Sequence, residues 1–531
     1  MKSKKIIFGL LILSLVILTS AFVLLFQRNA FDEITKNEAE KLGIVVPTFT
    51  EIPFEFSHSW NKTEALPFAG ASLIDLSSDG KIGVFTAGGF NQKDALFYFD
   101  NGEFKDLSND NTKTRKTDKP ATYGSLSIDI DNDNDTDLIV ARNEGLFLHR
   151  KTNGDFVAEQ IPLNIPARAV PVAITAGDIN HDNLVDLYVS TFINQKDFVT
   201  ATYNVPEHAT PNVLLVQNPD GSFTDSTEKS GITAAQNTFL SSFIDFNNDG
   251  WLDLVVAENT GKVRIFKNNE GKFAEQKSPT EFGFWMGIAA GDIDNDGDVD
   301  LLLSNTVNTV PKFGLKGDLK DDQILDKERA FLRNEGDFNF TRIPINGEFG
   351  WGAVFEDFNL DGELDIIVAE NYIKWIGHKI RKTPGRLLIQ KDGEFIATTN
   401  LAGIQNKNYG QTPLVTDLNN DGYPDLILIN LNGKSRAFLN NGGAAHYVKI
   451  SFPDTSASIG ARATLTKNDG TKLVRHVING TGFMSDQSTT LIFGLGPDTE
   501  VKNIEIEWLD ARKKLFENIT VDETLTINQQ Q

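Results

Sequence analysis

Asp292-Ile-Asp294-Asn-Asp296-Gly297-Asp-Val-Asp300 sets carboxylates at alternate positions of a short turn and runs straight into Leu301-Leu302-Leu303. Oxygen side chains at positions 1, 3 and 5 of such a turn can converge on one point. Position 7 can add a backbone carbonyl, and position 9 closes the site from the start of the next strand. This donor set suits a hard cation that takes about six to eight oxygens at roughly 2.3–2.6 Å, which favours Ca²⁺ over Mg²⁺. Five other copies keep the register: Asp129, Asp131, Asp133 and Asp137; Asp178, Asn180, Asp182 and Asp186; Asp245, Asn247, Asp249 and Asp253; Asp357, Asn359, Asp361 and Asp365; Asp417, Asn419, Asp421 and Asp425. A seventh copy is degenerate: Ser77 and Gly83 replace ligands and leave Asp75 and Asp79. The expectation is about five to six bound Ca²⁺ ions.

Two other readings of the turns compete. An EF-hand loop begins in the same way but needs a bidentate Glu at position 12 and flanking helices. Position 12 here is Thr86, Val140, Val189, Val256, Leu303, Val368 and Leu428, so the loops feed strands. Metal-free Asx-turns are the plainer alternative, because Asp and Asn favour turns on their own. Six copies, each keeping four oxygen side chains in register, weigh against it. At the degenerate Asp75 copy the metal-free reading wins.

The elements that position these turns also repeat. Turn starts recur roughly every 50 to 65 residues, the period of a unit with several strands. Within each unit a small or aromatic strand precedes the turn, as in Phe284-Trp285-Met286-Gly287-Ile288-Ala289-Ala290. An apolar strand follows, then a strand ending in Asn or Gly, as in Arg264-Ile265-Phe266-Lys267-Asn268. No long amphipathic helix interrupts the series. The pattern predicts an all-β chain: a seven-bladed β-propeller over 63–445, a small C-terminal β-domain over 446–531 and a single N-terminal transmembrane helix. Polar insertions at about 193–211 and 306–329 would project from a propeller face.

The turns, together with a following N-x-x-G-x-F strand such as Asn268-Asn-Glu-Gly271-Lys-Phe273, resemble FG-GAP/VCBS repeats, the propeller units of integrin α-subunits and many bacterial surface proteins. His446-Tyr-Val-Lys-Ile, Ile459-Gly460-Ala461-Arg462-Ala463, Gly480-Thr481-Gly482-Phe483-Met484-Ser485 and Phe493-Gly494-Leu495-Gly496 resemble an ASPIC/UnbV domain. Propeller plus this domain is the layout of the cartilage acidic protein family. The resemblance implies Ca²⁺ binding and an extracellular adhesive or scaffolding role. Within the C-terminal part, Arg462 is expected in a structural salt bridge.

Lys2, Lys4 and Lys5 precede an uncharged run from Ile6 to Phe26. At 1.5 Å per residue that run is long enough to cross a bilayer, and the lysines put residues 1–5 in the cytoplasm. An uncleaved anchor at 6–26 is favoured over a cleaved signal peptide that would leave the protein secreted, because Leu18-Thr-Ser-Ala21 is a poor cleavage site. Residues 27–62 read as a polar tether, helical at Phe31–Leu42. The chain has no cysteine, so an exported protein of this kind fits a bacterial envelope, inner-membrane anchored with its bulk periplasmic or extracellular. A net charge of −23 disfavours nucleic acid as a partner.

No catalytic constellation stands out. The sequence has no H-E-x-x-H, no G-x-S-x-G and no phosphate-cradling glycine loop. Trp285 and Trp351 on equivalent strands, with Tyr372 and Trp375, are candidate ligand-facing aromatics, against the plainer view that Trp285 and Trp351 pack between blades. The functional expectation is a non-enzymatic, membrane-anchored scaffold that presents a propeller loop face to a protein partner. The alternative is a carbohydrate-binding or lyase-like envelope protein acting on a glycan, with Lys312, Lys316, Lys320 and Lys327 as its basic stretch.

Overall fold

The computed structural model describes residues 33–76, 81–108, 121–198, 208–232, 237–305, 323–326, 328–345, 347, 349–370 and 384–528. The segment 6–26 assigned to an anchor lies outside the described residues, as do Ser77, Asp79, Lys312, Lys316, Lys320, Lys327, Tyr372 and Trp375. Among the described residues no helix is long and apolar enough to cross a membrane.

The protein is all-β. Among the described residues, seven successive antiparallel sheets follow one another, each built on four strands in chain order except the last. Their first strands are Ala71–Asp75, Thr122–Ile128, Ala169–Gly177, Thr238–Ile244, Ile288–Gly291, Gly350–Glu356 and Gly410–Thr416. Each first strand packs on the next, and Gly410–Thr416 returns to pack on Ala71–Asp75, so the series closes on itself in a propeller-like ring. Closure leaves few open sheet edges.

Burial explains the order within a sheet. In the second sheet the first and second strands, Thr122–Ile128 and Asp137–Arg142, are buried at every position, whereas the fourth strand Asp155–Ile161 is mostly exposed between buried Phe156 and Ile161. Apolar and small residues on both faces set the first strand at the hub, and polar positions set the last at the rim. The hub is tight enough to require glycine five residues before several turns. A Cβ on Gly124 would stand 2.3 Å from Val172 O, and one on Gly287 2.3 Å from Trp351 O.

The seventh sheet is completed from the other end of the chain. Phe49–Ile52 pairs antiparallel with Arg436–Asn440, Phe49 opposite Asn440 and Ile52 opposite Ala437. Phe54 and Phe56 continue into the core between the first and last sheets. This corrects the tether expected over 27–62: from Phe49 onward the segment is structural, and it ties the ring's ends together. Upstream, Lys36–Leu42 is helical, with a Thr35/Glu38 capping box and Gly43 in the left-handed conformation at its end.

Residues 446–528 form two further sheets, one of Lys472–His476, Arg462–Lys467, Val501–Glu507 and Lys513–Glu517, the other of Thr490–Gly496, His446–Ser451 and Glu523–Thr526. They are not a separate appendage. Ile459, Ala463, Leu465, Phe493 and Ile504 share one apolar core with Ile128, Val189 and Leu254 of the ring.

Candidate metal turns and the covered hub

Each acidic turn joins a first strand to its second, so all six complete copies lie on one face of the ring. Their internal bonding repeats. The position 1 carboxylate accepts from the backbone N–H of position 6: Asp129 from Asn134 at 2.9 Å, and Asp178, Asp245, Asp292, Asp357 and Asp417 from their partners at 2.8 Å. The position 5 Oδ1 accepts from the N–H of position 7, as in Asp296 from Asp298 at 2.9 Å. The second is an Asx-turn bond, the first spans five residues, and both are formed by the loop itself.

The position 9 carboxylate is a buried staple. Its Oδ2 accepts from the N–H of position 2: Asp137 from Ile130, Asp186 from Ile179, Asp253 from Phe246, Asp300 from Ile293, Asp365 from Phe358 and Asp425 from Leu418. Its Oδ1 accepts from a third-strand N–H, at Lys151, Gln217, Asn268, Asn334, Gln390 and Asn440 respectively.

Those third-strand residues do something the sequence reading missed. Their side chains reach back to the position 2 carbonyl of the preceding turn: Gln217 Nε2 to Ile130 O (3.1 Å), Asn268 Nδ2 to Ile179 O (2.8 Å), Asn334 Nδ2 to Phe246 O (2.8 Å), Gln390 Nε2 to Ile293 O (3.2 Å) and Asn440 Nδ2 to Phe358 O (2.9 Å). Lys151 Nζ does the same to Leu76 O (3.0 Å) beside the degenerate Asp75 turn. The result is a hydrogen-bonded belt from sheet to sheet. The signal for it was present in the sequence: a polar residue at the same third-strand position of repeat after repeat, where the neighbours are apolar.

Two of the turns bring three carboxylates close enough to share one divalent cation. Carboxylate oxygens of Asp129, Asp131 and Asp137 lie within 4.8 Å of one another, as do those of Asp292, Asp294 and Asp300. In four turns the position 3 amide donates to the position 5 Oδ2, at 2.8–3.0 Å from Asn180, Asn247, Asn359 and Asn419, and in three of them its Oδ1 accepts from the position 5 N–H. At Asn247 that Oδ1 is buried with no hydrogen-bond partner, an atom a cation would satisfy. Charge agrees with geometry. Burial, with the like charge of neighbouring carboxylates added, pushes Asp292 up to about 7 and Asp300 and Asp425 up to about 8. Only partial compensation comes from protein cations at the rim, such as Lys267 on Asp249 (3.1 Å) and Arg333 on Asp294 (3.8 Å). A bound dication would favour the ionised forms that burial opposes.

The hub is filled by the C-terminal part. Asn479 to Gln487 runs through the middle of the ring and touches every sheet. Ser485 and Asp486 pair with Ala71 and Ser72 of the first, and Asp486 Oδ2 accepts from Ser127 N (3.1 Å) of the second. Asn479 bonds Thr175 Oγ1 (2.9 Å) and accepts Ser242 Oγ at its carbonyl (2.8 Å). Gly482 exchanges backbone bonds with Ile288 at 2.7 and 3.1 Å, Phe483 O accepts from Thr412 Oγ1 (2.9 Å), and the Phe483 ring stands 5.0 Å from that of Trp351 in the sixth sheet.

This filling corrects the aromatic expectation. Trp351 is buried against Phe483, and Trp285, fully buried, donates Nε1 to Gly261 O at 3.1 Å. Neither ring faces a ligand; both are core. Arg462 is in the salt bridge expected of it, with Glu507, and also donates to Asn248 Oδ1 (3.1 Å). Between hub and C-terminal sheets lies a polar cavity of about 660 Å³, whose wall includes Glu356, Asp417, Lys449, Arg475, Gln487 and Thr489.

Family models match both parts of the chain. A family model described as FG-GAP-like repeat matches residues 129–189, 194–256 and 245–303, and one described as ASPIC and UnbV matches 453–531. Cartilage acidic protein 1 of Xenopus tropicalis is 24% identical over 319 residues, 56% of this chain and 48% of that protein, so the chain spans about half the length of this curated relative. Among solved structures, YCF48 from Cyanidioschyzon merolae aligns at 8% identity with a TM-score of 0.41, over 74% of this chain and 98% of that one.

Proposed function

We propose that this chain, which carries FG-GAP-like repeats and an ASPIC and UnbV domain, is a Ca²⁺-stiffened seven-bladed β-propeller that serves as a protein-interaction scaffold of the bacterial cell envelope. The anchor is residues 6–26. The ions are held by the six complete turns, where they add no chemistry beyond cross-linking position 1, 3, 5 and 9 oxygens.

One observation carries the reading: the acidic-turn face is covered by the chain's own C-terminal sheets, and the hub is filled by Asn479–Gln487. The long connections leave from the other side. They join second strands to third strands, after Ile193, Leu303 and Glu370 and before Val213, Ala330 and Arg386, and in an antiparallel sheet such links lie opposite the first turn. That face is the one offered to a protein partner, and loops on a rigid ring are suited to it.

The test is affinity capture of the tagged full-length protein from its membranes in Ca²⁺ and in chelator, beside a variant with 194–212 and 304–329 each replaced by a short turn. The expected result is a stoichiometric protein lost with the shortened loops. A partner retained by that variant would move the surface elsewhere. A chain captured alone in both buffers would remove the scaffold reading.

A further inference from the structure

The tips of the acidic turns are gripped by the C-terminal domain. Position 4 of each complete turn is left-handed, with φ between +54° and +64° at Asn132, His181, Asn248, Asn295, Leu360 and Asn420. It stands between ligand positions 3 and 5, so it moves when they move. Four consecutive turns are held there. Arg462 Nη1 donates to Asn248 Oδ1 (3.1 Å). The Val474 N–H and Arg475 Nη1 donate to Asn295 Oδ1 (2.9 and 3.2 Å). The Gly496 N–H donates to Leu360 O (2.7 Å), and Lys449 Nζ to Asn420 Oδ1 and Asp417 Oδ2 (both 2.7 Å). On the second repeat the Asp129 N–H donates to Asp454 O (2.6 Å).

We infer that the ion-binding turns are also the docking platform of the C-terminal domain, so that ion occupancy and seating of that domain on the ring are coupled. The inference rests on the Ca²⁺ reading above. In the fourth, fifth and sixth turns the domain's donors meet acceptors at position 4, an amide oxygen or a carbonyl that an ion does not need. In those three turns ion and domain use the same turn without competing, whereas in the seventh Lys449 also stands on Asp417, a position 1 carboxylate. An ion that draws positions 3 and 5 together fixes position 4 in the conformation the domain grips; without it, mutually repelling carboxylates loosen the tip. Arg475 ties two neighbouring repeats, donating to Asn295 Oδ1 of the fifth turn (3.2 Å) and to Gly362 O of the sixth (3.1 Å). Coupling of this kind is reciprocal: whatever seats the domain tightens the ions by the same factor.

The experiment uses the full chain. Calorimetry counts Ca²⁺ uptake, and hydrogen exchange by mass spectrometry is run in Ca²⁺ and in chelator. Chelation is expected to speed exchange at Val474 and Gly496 by about tenfold or more, while the Val501–Glu507 strand inside the domain keeps its protection. In the reciprocal arm, Arg462→Ala weakens Ca²⁺ binding about fivefold, and Arg512→Ala, whose partner Asp510 is within its own domain, leaves it unchanged. Ca²⁺ uptake with identical seam exchange in both buffers overturns the coupling and leaves the ion sites standing. Absence of uptake overturns both. A uniform loss of protection along the whole chain assigns the ions to global stability alone and also overturns the coupling.

Discussion

Phe483→Ala tests whether the C-terminal segment is the axle of the ring or only a cover. The ring of Phe483 is fully buried, with Trp351, Phe239 and Phe68 rings at 5.0, 5.9 and 6.0 Å. Truncating such a side chain costs about 3 to 5 kcal/mol, the upper end applying where the surroundings cannot close over the gap. They cannot here: the walls are inner strands already in backbone contact, a Cβ on Gly352 meeting Gln411 O at 2.7 Å and Phe483 Cβ at 3.0 Å. Edge-to-face geometry accounts for about 0.5–1.5 kcal/mol per ring pair and is contained in that total. The expected loss is thus about 4 kcal/mol. Urea unfolding in excess Ca²⁺, followed by pulse-labelled hydrogen exchange, reads ring and C-terminal peptides separately. Both should shift together to a lower midpoint. If ring peptides keep the wild-type midpoint to within about 1 kcal/mol while only 446–528 loosens, the axle argument is refuted, because a hub side chain of this burial cannot be removed silently.

Asn440→Leu keeps the side-chain volume but strips the belt bond to Phe358 O, the bond to Pro424 O (3.2 Å) and the oxygen that accepts Gly442 N–H (3.2 Å). Leaving buried carbonyls unpaired costs about 1–3 kcal/mol each, so urea midpoints should fall, and an unchanged midpoint would show the belt to be idle. Burial, with the Arg142 charge added and Asp94 opposing, lowers His149 to about 3. Its folded value lies below its unfolded one, so this contribution is intact above about pH 6.5 and is lost as pH falls toward 3, reaching roughly 2 kcal/mol at pH 5. His149→Gln should flatten the stability curve between pH 6.5 and 4 relative to wild type, and parallel curves would remove His149 as the cause. Chelation should lower the melting temperature, since each site filled at about 100 times its Kd contributes about 2.7 kcal/mol. Metal analysis after dialysis should count about five to six ions per chain, and a metal-free protein with the same melting temperature would leave the turns as Asx-turns alone.

The all-β class and the turn-to-strand register were legible because both are local. Nine residues such as Asp292–Asp300 carry their own hydrogen bonds and hand over to an apolar strand, and polar positions or their absence tell rim from hub. What escaped was pairing at a distance. Phe49–Ile52 looks like any short polar strand, and nothing near it in sequence says that its partner is Arg436–Asn440. For Trp285 and Trp351 the sequence leaves a ligand-facing and a packed reading side by side; Phe483, more than a hundred residues away, fills the hub and decides for packing at Trp351. Some signals for the hub were nevertheless in the chain. Gly70, Gly124, Gly287 and Gly352 each stand five residues before a turn, and a Cβ at Gly70 would meet Met484 O at 2.4 Å, one at Gly287 Gly482 O at 2.6 Å. Glycine repeated at one register inside buried strands means that another backbone comes that close. The neighbouring first strands supply part of that backbone, and Gly480-Thr-Gly482 on the C-terminal segment is the matching thin stretch. The covering of the acidic face is not legible in sequence, because the groups that cover it are lone residues, Arg462, Lys449 and the Gly496 N–H, on strands whose periodicity reports only their own sheet.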